Sequence, residues 1–148
     1  MINIFIDTSG SMTEMGKDSA AIYAVKSIQD YCEFNNLQST TYTFDGKIVD
    51  RITSIRFDKN MNMNILNNFL SNSNLMYNIL ISDGLFNDEV KLNNLISISI
   101  GIDANIDYLE KATLKVFEPE NIIAAIEYIL FTYNTLSNIE EENDEYEW

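Results

Sequence analysis

The chain has 148 residues, 46% of them hydrophobic, and a formal net charge of −14. This length and composition fit one globular domain with a core of its own. The strong acidity argues against nucleic acid and anionic membrane surfaces as partners, because phosphate binding depends on Lys and Arg. The chain contains no histidine, which excludes Ser-His and Cys-His nucleophile pairs and argues against a catalytic zinc site.

The single cysteine, Cys32, leaves no partner for an internal disulfide and fits a reducing compartment. It falls on the apolar face of a predicted helix, where we expect a small buried hydrophobe rather than a reactive thiol. An apolar run begins at residue 2, so we expect no secretory signal, and no apolar stretch has the length needed to cross a bilayer. We therefore expect a cytoplasmic protein without membrane contact.

The first predicted element is a buried strand over residues 2–6 that ends abruptly at Asp7. Small hydroxyl residues follow at alternate positions, Ser9 and Ser11, and a helical pattern begins after them. Open α/β sheets place their ligands at strand ends of this kind. In an extended loop the three side chains point at one spot, and ligands that offer only oxygen suit a hard divalent cation.

Residues 17–34 carry apolar side chains at helical spacing and predict an amphipathic helix. Residues 40–44 are rich in β-branched and aromatic side chains and predict a strand. Asp45-Gly46 is typical of a two-residue hairpin turn, and residues 47–55 are predicted to return as the partner strand. This hairpin would place one antiparallel strand at an edge of the sheet.

The rest of the chain alternates further helices and strands. The predicted elements are a helix over 65–70, a strand over 76–82, at most a turn or two of helix over 89–94, a strand over 95–102, a helix over 106–111, a strand over 114–117 and a helix from Pro119 to about Tyr133. The alternation predicts an α/β fold with a doubly wound, mostly parallel central sheet, one antiparallel edge strand and helices on both faces. We expect this domain to span residues 1–137 and residues 138–148 to form a disordered acidic tail.

The segment Asp7-Thr8-Ser9-Gly10-Ser11 resembles the metal-ion-dependent adhesion site of von Willebrand factor A (vWA) domains. The predicted order of elements is also similar to that of the vWA fold, and Ile81-Ser82-Asp83-Gly84 looks like the second motif of the family. The resemblance implies that Asp7, Ser9 and Ser11 are direct ligands of Mg²⁺, or of Mn²⁺ or Ca²⁺. It implies that Asp83 is a direct or water-mediated ligand.

The resemblance also implies roles for residues around these ligands. Gly10, Met12 and Gly84 are expected in the binding loops, with Gly10 permitting a tight loop and Gly84 clearing the strand exit. The third motif of the family is a threonine before the middle helix, but residues 57–63 occupy that place and contain none. We expect Asn60 or Asn62 to supply an amide oxygen instead, or a water to fill the position.

In the family the metal is a binding device rather than a catalyst, and an Asp or Glu of a partner protein completes its coordination shell. With one direct carboxylate ligand, the bound ion would keep net positive charge and attract such an acid. The resemblance therefore implies a protein-binding module that is not an enzyme. Small intracellular microbial vWA proteins often work beside AAA+ ATPases of the MoxR type or in kinase–phosphatase systems, which are the partners that the resemblance implies.

Two other functions remain open. A Mg²⁺-dependent phosphoryl-transfer enzyme would use Asp7 as its nucleophile, but Ser9 stands where haloacid-dehalogenase-like phosphatases have a second aspartate. No lysine is evident at a later strand end to steady a phosphate. A vWA-like structural scaffold without metal is the other alternative.

Two further acidic features allow more than one interpretation. Asp103 also follows an apolar strand, and we expect it simply to satisfy a nearby helix N-terminus. Within the tail, Glu145, Glu147 or the terminal carboxylate could dock into the metal site of a neighbouring molecule, with Tyr146 and Trp148 as apolar anchors.

Overall fold

The computed structural model of the chain describes residues 1–132. These residues contain five strands: β1 (Ile2–Ile6), β2 (Ser39–Tyr42), β3 (Tyr77–Ser82), β4 (Leu95–Ser99) and β5 (Val116–Phe117). All neighbouring pairs are parallel, and the order across the sheet is β2-β1-β3-β4-β5. The strand order therefore reverses between β1 and β3, the position at which open α/β sheets form a ligand crevice.

Helices cover both faces of the sheet. They are α1 (Lys17–Phe34), α2 (Met63–Ser71), α3 (Ile106–Ala112) and α4 (residues 122–132), with 3-10 turns at Gly10–Gly16, Ile52–Ser54 and Pro119–Asn121. Buried residues of α1 and α4 belong to one hydrophobic cluster, and those of α2 and α3 belong to a second cluster on the opposite face. The predicted doubly wound α/β fold is confirmed.

Burial on both faces explains why the central strands are almost continuously apolar. In β1, Ile2, Ile4 and Ile6 lie in the cluster with α1, and Phe5 lies in the cluster with α2. All five residues of β1 are buried. A strand sandwiched between two helical layers has no polar face, which is the pattern expected of parallel sheets.

The apolar stripe of α1 packs as its spacing predicts. Ala21, Ala24, Val25, Ile28 and Cys32 are buried along this helix. The thiol of Cys32 is 1% exposed, and burial raises its pKa above the ordinary value. The interpretation of this cysteine as a small core residue is confirmed.

The predicted antiparallel edge strand is not formed. Asp45-Gly46 does turn the chain, and Tyr42 and Ile48 make an isolated antiparallel bridge. Beyond this bridge the chain leaves the sheet, and Ile52–Ser54 form a 3-10 turn. Asp50 and Arg51 are exposed, so a strand continued through them would bury no apolar surface.

The prediction of a short helix over residues 89–94 is also wrong. This stretch is a loop in which Leu92 is buried and forms an isolated parallel bridge with Thr113. The N–H of Leu92 donates to the carbonyl of Ala112, 2.7 Å away. Its backbone hydrogen bond is therefore made to the end of α3 rather than within a helix of its own.

Within residues 1–132, no helix combines the length and the apolar composition that a membrane crossing requires. The tail predicted over residues 138–148 lies outside the described residues.

Candidate metal centre

Asp7 continues β1 beyond its last residue. Its N–H donates to the carbonyl of Ile81, and its side chain is completely buried. One carboxylate oxygen, Oδ1, accepts the N–H of Ser9 at 2.9 Å, and Oδ2 accepts the hydroxyl of Ser82 at 2.7 Å. Ser82 is a site residue that the motif did not identify. The register points to it, because Ile6 pairs with Ile81 and Asp7 therefore lies opposite Ser82.

The structure brings the two motif serines together beside Asp7. The hydroxyl oxygens of Ser9 and Ser11 lie 3.2 Å apart. Both serines line a cleft of about 450 Å³, and Asp7 does not. The predicted ligands Asp7, Ser9 and Ser11 thus form one connected group, with the carboxylate below and the hydroxyls at the cleft.

The carboxylate of Asp7 carries a negative charge that its surroundings do not fully compensate. Burial raises its pKa from 3.8 to about 6, although hydrogen bonds from Ser9 and Ser82 act in the opposite direction. The charge of Asp83 raises it further. A cation close to this carboxylate would favour the charged form. The electrostatics at Asp7 therefore fit a cation-binding position.

Asp83 is completely buried and forms an ion pair that the sequence did not predict. Its Oδ2 lies 3.0 Å from the ammonium nitrogen of Lys17, and its Oδ1 accepts the N–H of Leu85 at 3.1 Å. The same ammonium lies 3.0 Å from Asp103. Asp83 does not line the cleft formed by the motif serines. Lys17 thus neutralises the strand-end acid that was predicted to face a metal.

Lys17 is the first residue of α1 and is completely buried. Desolvation lowers the pKa of its ammonium, but the hydrogen bonds and charges of Asp103 and Asp83 outweigh this effect and raise the pKa overall. A sequence signal for this burial exists. Lys17 stands four residues before Ala21 and seven before Ala24, in register with the apolar stripe of the helix.

The expectation that Asp103 caps a helix is wrong. The N-cap of α3 is Asn105, whose Oδ1 accepts the N–H of Tyr108 at 3.1 Å. Asp103 instead pairs with Lys17. Gly101 leaves room for this pairing, because a Cβ there would lie 2.5 Å from the Lys17 side chain. Gly101 also has a positive φ of +95°.

The segment that replaces the missing threonine does reach the cleft. The N–H of Lys59 donates to the carbonyl of Thr8, and Ser9 and Lys59 form an isolated parallel bridge. Asn60 and Asn62 both line the cleft with the motif serines. The amide oxygen of Asn62 already accepts the N–H of Ile65 at 3.1 Å and caps α2. Asn60 is exposed and is the better placed of the two to meet a ligand.

Of the three predicted binding-loop residues, Gly84 has the expected role, whereas Met12 and Gly10 do not. Met12 is completely buried in the hydrophobic cluster, so it anchors the loop rather than contacting a ligand. Gly10 has no positive φ and no atom within 4 Å of a built Cβ, so this loop does not need a glycine there. Gly84 has a φ of +70°, and a Cβ would lie 2.9 Å from the carbonyl of Asn105. Gly84 therefore permits close packing of the strand exit against the start of α3.

The donor set suits a hard cation. Residues 1–132 contain no group of three or more His, Cys, Asp and Glu side chains that could hold a metal. The candidate set of Asp7, Ser9 and Ser11 contains a single acid. One carboxylate and two hydroxyls are oxygen ligands of the kind that Mg²⁺ accepts together with water.

No protein-family model, curated protein or solved structure matches this chain.

Proposed function

We propose that this chain is a metal-dependent protein-binding module of the vWA type. Asp7, Ser9 and Ser11 would hold a divalent cation, with Mg²⁺ as the first choice and Mn²⁺ or Ca²⁺ as alternatives. When bound, the cation supplies a positive charge and a coordination position for an acidic side chain of a partner protein. The partners that the vWA resemblance implies are an AAA+ ATPase or a kinase–phosphatase system.

The observation that carries this proposal is the pair of serine hydroxyls, 3.2 Å apart, joined through Ser9 to the buried carboxylate of Asp7. They lie at the carboxyl edge of the sheet. There the chain continues from β1 toward β2 on one side and from β3 toward β4 on the other. The N–H of Ser9 and the hydroxyl of Ser82 orient the carboxylate from two directions. Each of its oxygens has a second lone pair for a further partner.

Asp83 has a less direct part in this proposal. Its Oδ2 lies 3.0 Å from the ammonium of Lys17, which would repel a metal ion, and its Oδ1 accepts the N–H of Leu85. Its contribution is therefore through a water or through its charge, which acts on Asp7. Asn60, which is exposed and also lines the cleft, is the residue that we place nearest the partner.

Lys17 does not fit the role of a phosphate-binding cation in a phosphoryl-transfer enzyme. A phosphoryl-transfer enzyme needs a cation that can reach the transferred group. The ammonium of Lys17 is buried and is shared between Asp83 and Asp103. It is therefore unavailable to a substrate in the cleft.

The ion pair of Lys17 also supports a second candidate, a scaffold that works without metal. Lys17 already supplies a positive charge at this edge of the sheet, where it neutralises Asp83. In this alternative, the paired hydroxyls of Ser9 and Ser11 satisfy each other and bind no cation. The two candidates predict opposite results in a metal titration.

Calorimetric titration of the full chain with Mg²⁺ and Mn²⁺ tests the proposal. We expect saturable binding by the wild type and by Ser19→Ala, a control for loss of an exposed serine. The double variant Ser9→Ala/Ser11→Ala and the single variant Asp7→Asn should bind at least tenfold more weakly, because the first lacks both hydroxyl ligands and the second lacks the charge of the carboxylate. Equal, negligible heats for all four proteins would support the scaffold instead.

A capture experiment tests the binding role. The tagged full chain is incubated with native cell extract with and without a chelator, and the bound proteins are compared. We expect a protein that the wild type and Ser19→Ala retain, and that both chelation and Ser9→Ala/Ser11→Ala release. A set of bound proteins that is the same in all samples would contradict a metal-dependent interaction.

A further inference from the structure

A second cleft lies beside the candidate metal centre. It has a volume of about 770 Å³ and is lined by the segment after β2 and by Thr8. Lys59 and Met61 line both clefts and therefore form the wall between them. We call it the basic cleft, after the residues that carry its charge: Lys47, Arg51, Arg56 and Lys59.

The charge of the basic cleft is opposite to that of the whole chain. Four of the nine Lys and Arg residues line it, although the net charge is −14. Asp45 and Asp50 line it too, and Asp45 pairs with Lys47 at 3.6 Å. Among the described residues, the other three cations make no ion pair. They therefore leave a positive surface that an anionic partner can neutralise.

The hydroxyl of Thr8 is a separate sign of a missing partner. Thr8 is 3% exposed and lines the basic cleft, and its Oγ1 has no hydrogen-bond partner. A buried hydroxyl without a partner is uncommon because its desolvation is not repaid. A carboxylate in the cleft would accept a hydrogen bond from it.

The walls of the basic cleft indicate a peptide rather than a simple anion. Ile48, Val49, Ile55 and Met61 line it between the charged residues. Ile48 is 62% exposed. An occupant that combines acidic side chains with large apolar ones would match both kinds of surface.

We propose that the basic cleft holds the acidic C-terminal segment of the same chain, residues 140–148. This segment contains six carboxylate side chains, and the two aromatic residues Tyr146 and Trp148 stand at its end. Its charge is complementary to that of the cleft, and its aromatic residues suit the apolar walls. Docked there, it would lie next to the candidate metal centre and compete with an acidic partner, although its binding does not require a metal.

The length of the chain allows this contact. The seven residues 133–139 that join α4 to this segment span up to about 25 Å when extended. A five-stranded sheet is about 20 Å across. The segment can therefore reach the β2 edge from the opposite side of the domain.

Trp148 reports on the proposed contact because it is the only tryptophan in the chain. We would measure quenching of its fluorescence by acrylamide, a neutral quencher, in the full chain and in a synthetic peptide of residues 138–148. We expect quenching to be several-fold weaker in the full chain. It should rise to the peptide value as NaCl approaches 1 M, where the screening length is about 3 Å.

Two sets of charge variants locate the contact. Arg51→Glu/Arg56→Glu should raise quenching to the peptide value, and so should replacement of the five glutamates of residues 140–147 by glutamine, which alters no residue of the cleft. Lys91→Glu/Lys111→Glu makes the same charge change at exposed sites outside the cleft and should leave quenching unchanged. Circular dichroism checks that each variant is folded.

Three results would overturn the proposal. Quenching in the wild type equal to that of the peptide would mean that the segment has no docking site. Protection that survives the arginine reversals in a folded protein would place the segment elsewhere. Protection that grows with protein concentration would assign the cleft to the segment of a second copy.

Discussion

At the scale of single residues, Lys17 places a fully buried ammonium between Asp83 and Asp103. Removing one partner of a buried ion pair leaves an uncompensated charge. We predict that Lys17→Met lowers the free energy of unfolding by about 3–5 kcal/mol at neutral pH. Urea denaturation followed by circular dichroism measures this change.

Lys26→Met is the matched control for this prediction. Lys26 is on the same helix, but it is exposed and makes no ion pair within residues 1–132. We expect this substitution to change the free energy of unfolding by less than about 0.5 kcal/mol. Equal effects of the two substitutions would mean that the ammonium of Lys17 is solvated.

Asp7 makes stability depend on pH in the chelated protein. Its pKa is about 6 in the folded chain, against an ordinary value of 3.8, so the folded state binds the proton more tightly between these values. The free energy of unfolding should therefore fall as pH rises from about 4 to about 6, by up to about 3 kcal/mol from this residue. Above this window the loss is complete.

Comparison with Asp7→Asn isolates this contribution. Every other acid is present in both proteins, so the difference between their unfolding free energies reports on Asp7 and on its electrostatic interaction with Asp83. In the presence of chelator, we expect the variant to gain on the wild type as pH rises through the window. A difference that is constant with pH would show that the carboxylate keeps its ordinary pKa.

At the scale of elements, the exit of β3 and the start of α3 pack closely through Gly84. Its φ is +70°, and a Cβ would lie 2.8 Å from the side chain of Leu109 and 2.9 Å from the carbonyl of Asn105. We predict that Gly84→Ala costs about 1–3 kcal/mol of stability, because both backbone strain and contact with a carbonyl oppose the methyl group. Thermal denaturation measures the loss.

Gly10→Ala controls for the change of residue type. Gly10 has no positive φ and open space around a built Cβ, so the substitution should leave stability within about 0.5 kcal/mol. A comparable loss in both variants would indicate that the Gly10 loop is more constrained than its geometry implies.

The elements also differ in how far their sequences specify them. The bounds of α1 follow from its apolar spacing, because one stripe of residues is buried along its whole length. The segment after β2 contains a strong turn signal, but the exposed charges of Asp50 and Arg51 outweigh the tendency to pair. The residues of the turn determine where the chain reverses. The reversal continues into a paired strand only where pairing buries side chains.

At the scale of the whole molecule, metal binding should be linked to folding. A ligand that binds only the folded state adds about 2.7 kcal/mol to the unfolding free energy at one hundred times its dissociation constant. We predict that Mg²⁺ raises the melting temperature of the wild type above that in chelator. Calorimetry should show no such rise for Ser9→Ala/Ser11→Ala, in which the hydroxyl ligands are missing.

The melting temperatures with Mg²⁺ and with chelator should be compared at equal ionic strength, because any salt screens the repulsion within a chain of net charge −14. The serine variant has the same net charge as the wild type and therefore controls for this screening. Equal stabilisation of the two proteins by Mg²⁺ would show that the effect is general and that the serines bind no cation.

By itself the sequence determined the layer architecture, the position of the candidate site at the end of the first strand, and the grouping of Asp7 with Ser9 and Ser11. These follow from hydrophobic periodicity and from spacing over a few residues, because the local geometry of a strand, helix or loop determines which way each side chain points. Tertiary structure alone decided the partners of Asp83, because Lys17 and Asp103 are distant in sequence and meet only when α1 packs against β3 and β4. It also decided that Ser82 holds Asp7 and that basic residues gather beside Thr8, since burial and charge at a point are set by the elements that fold around it.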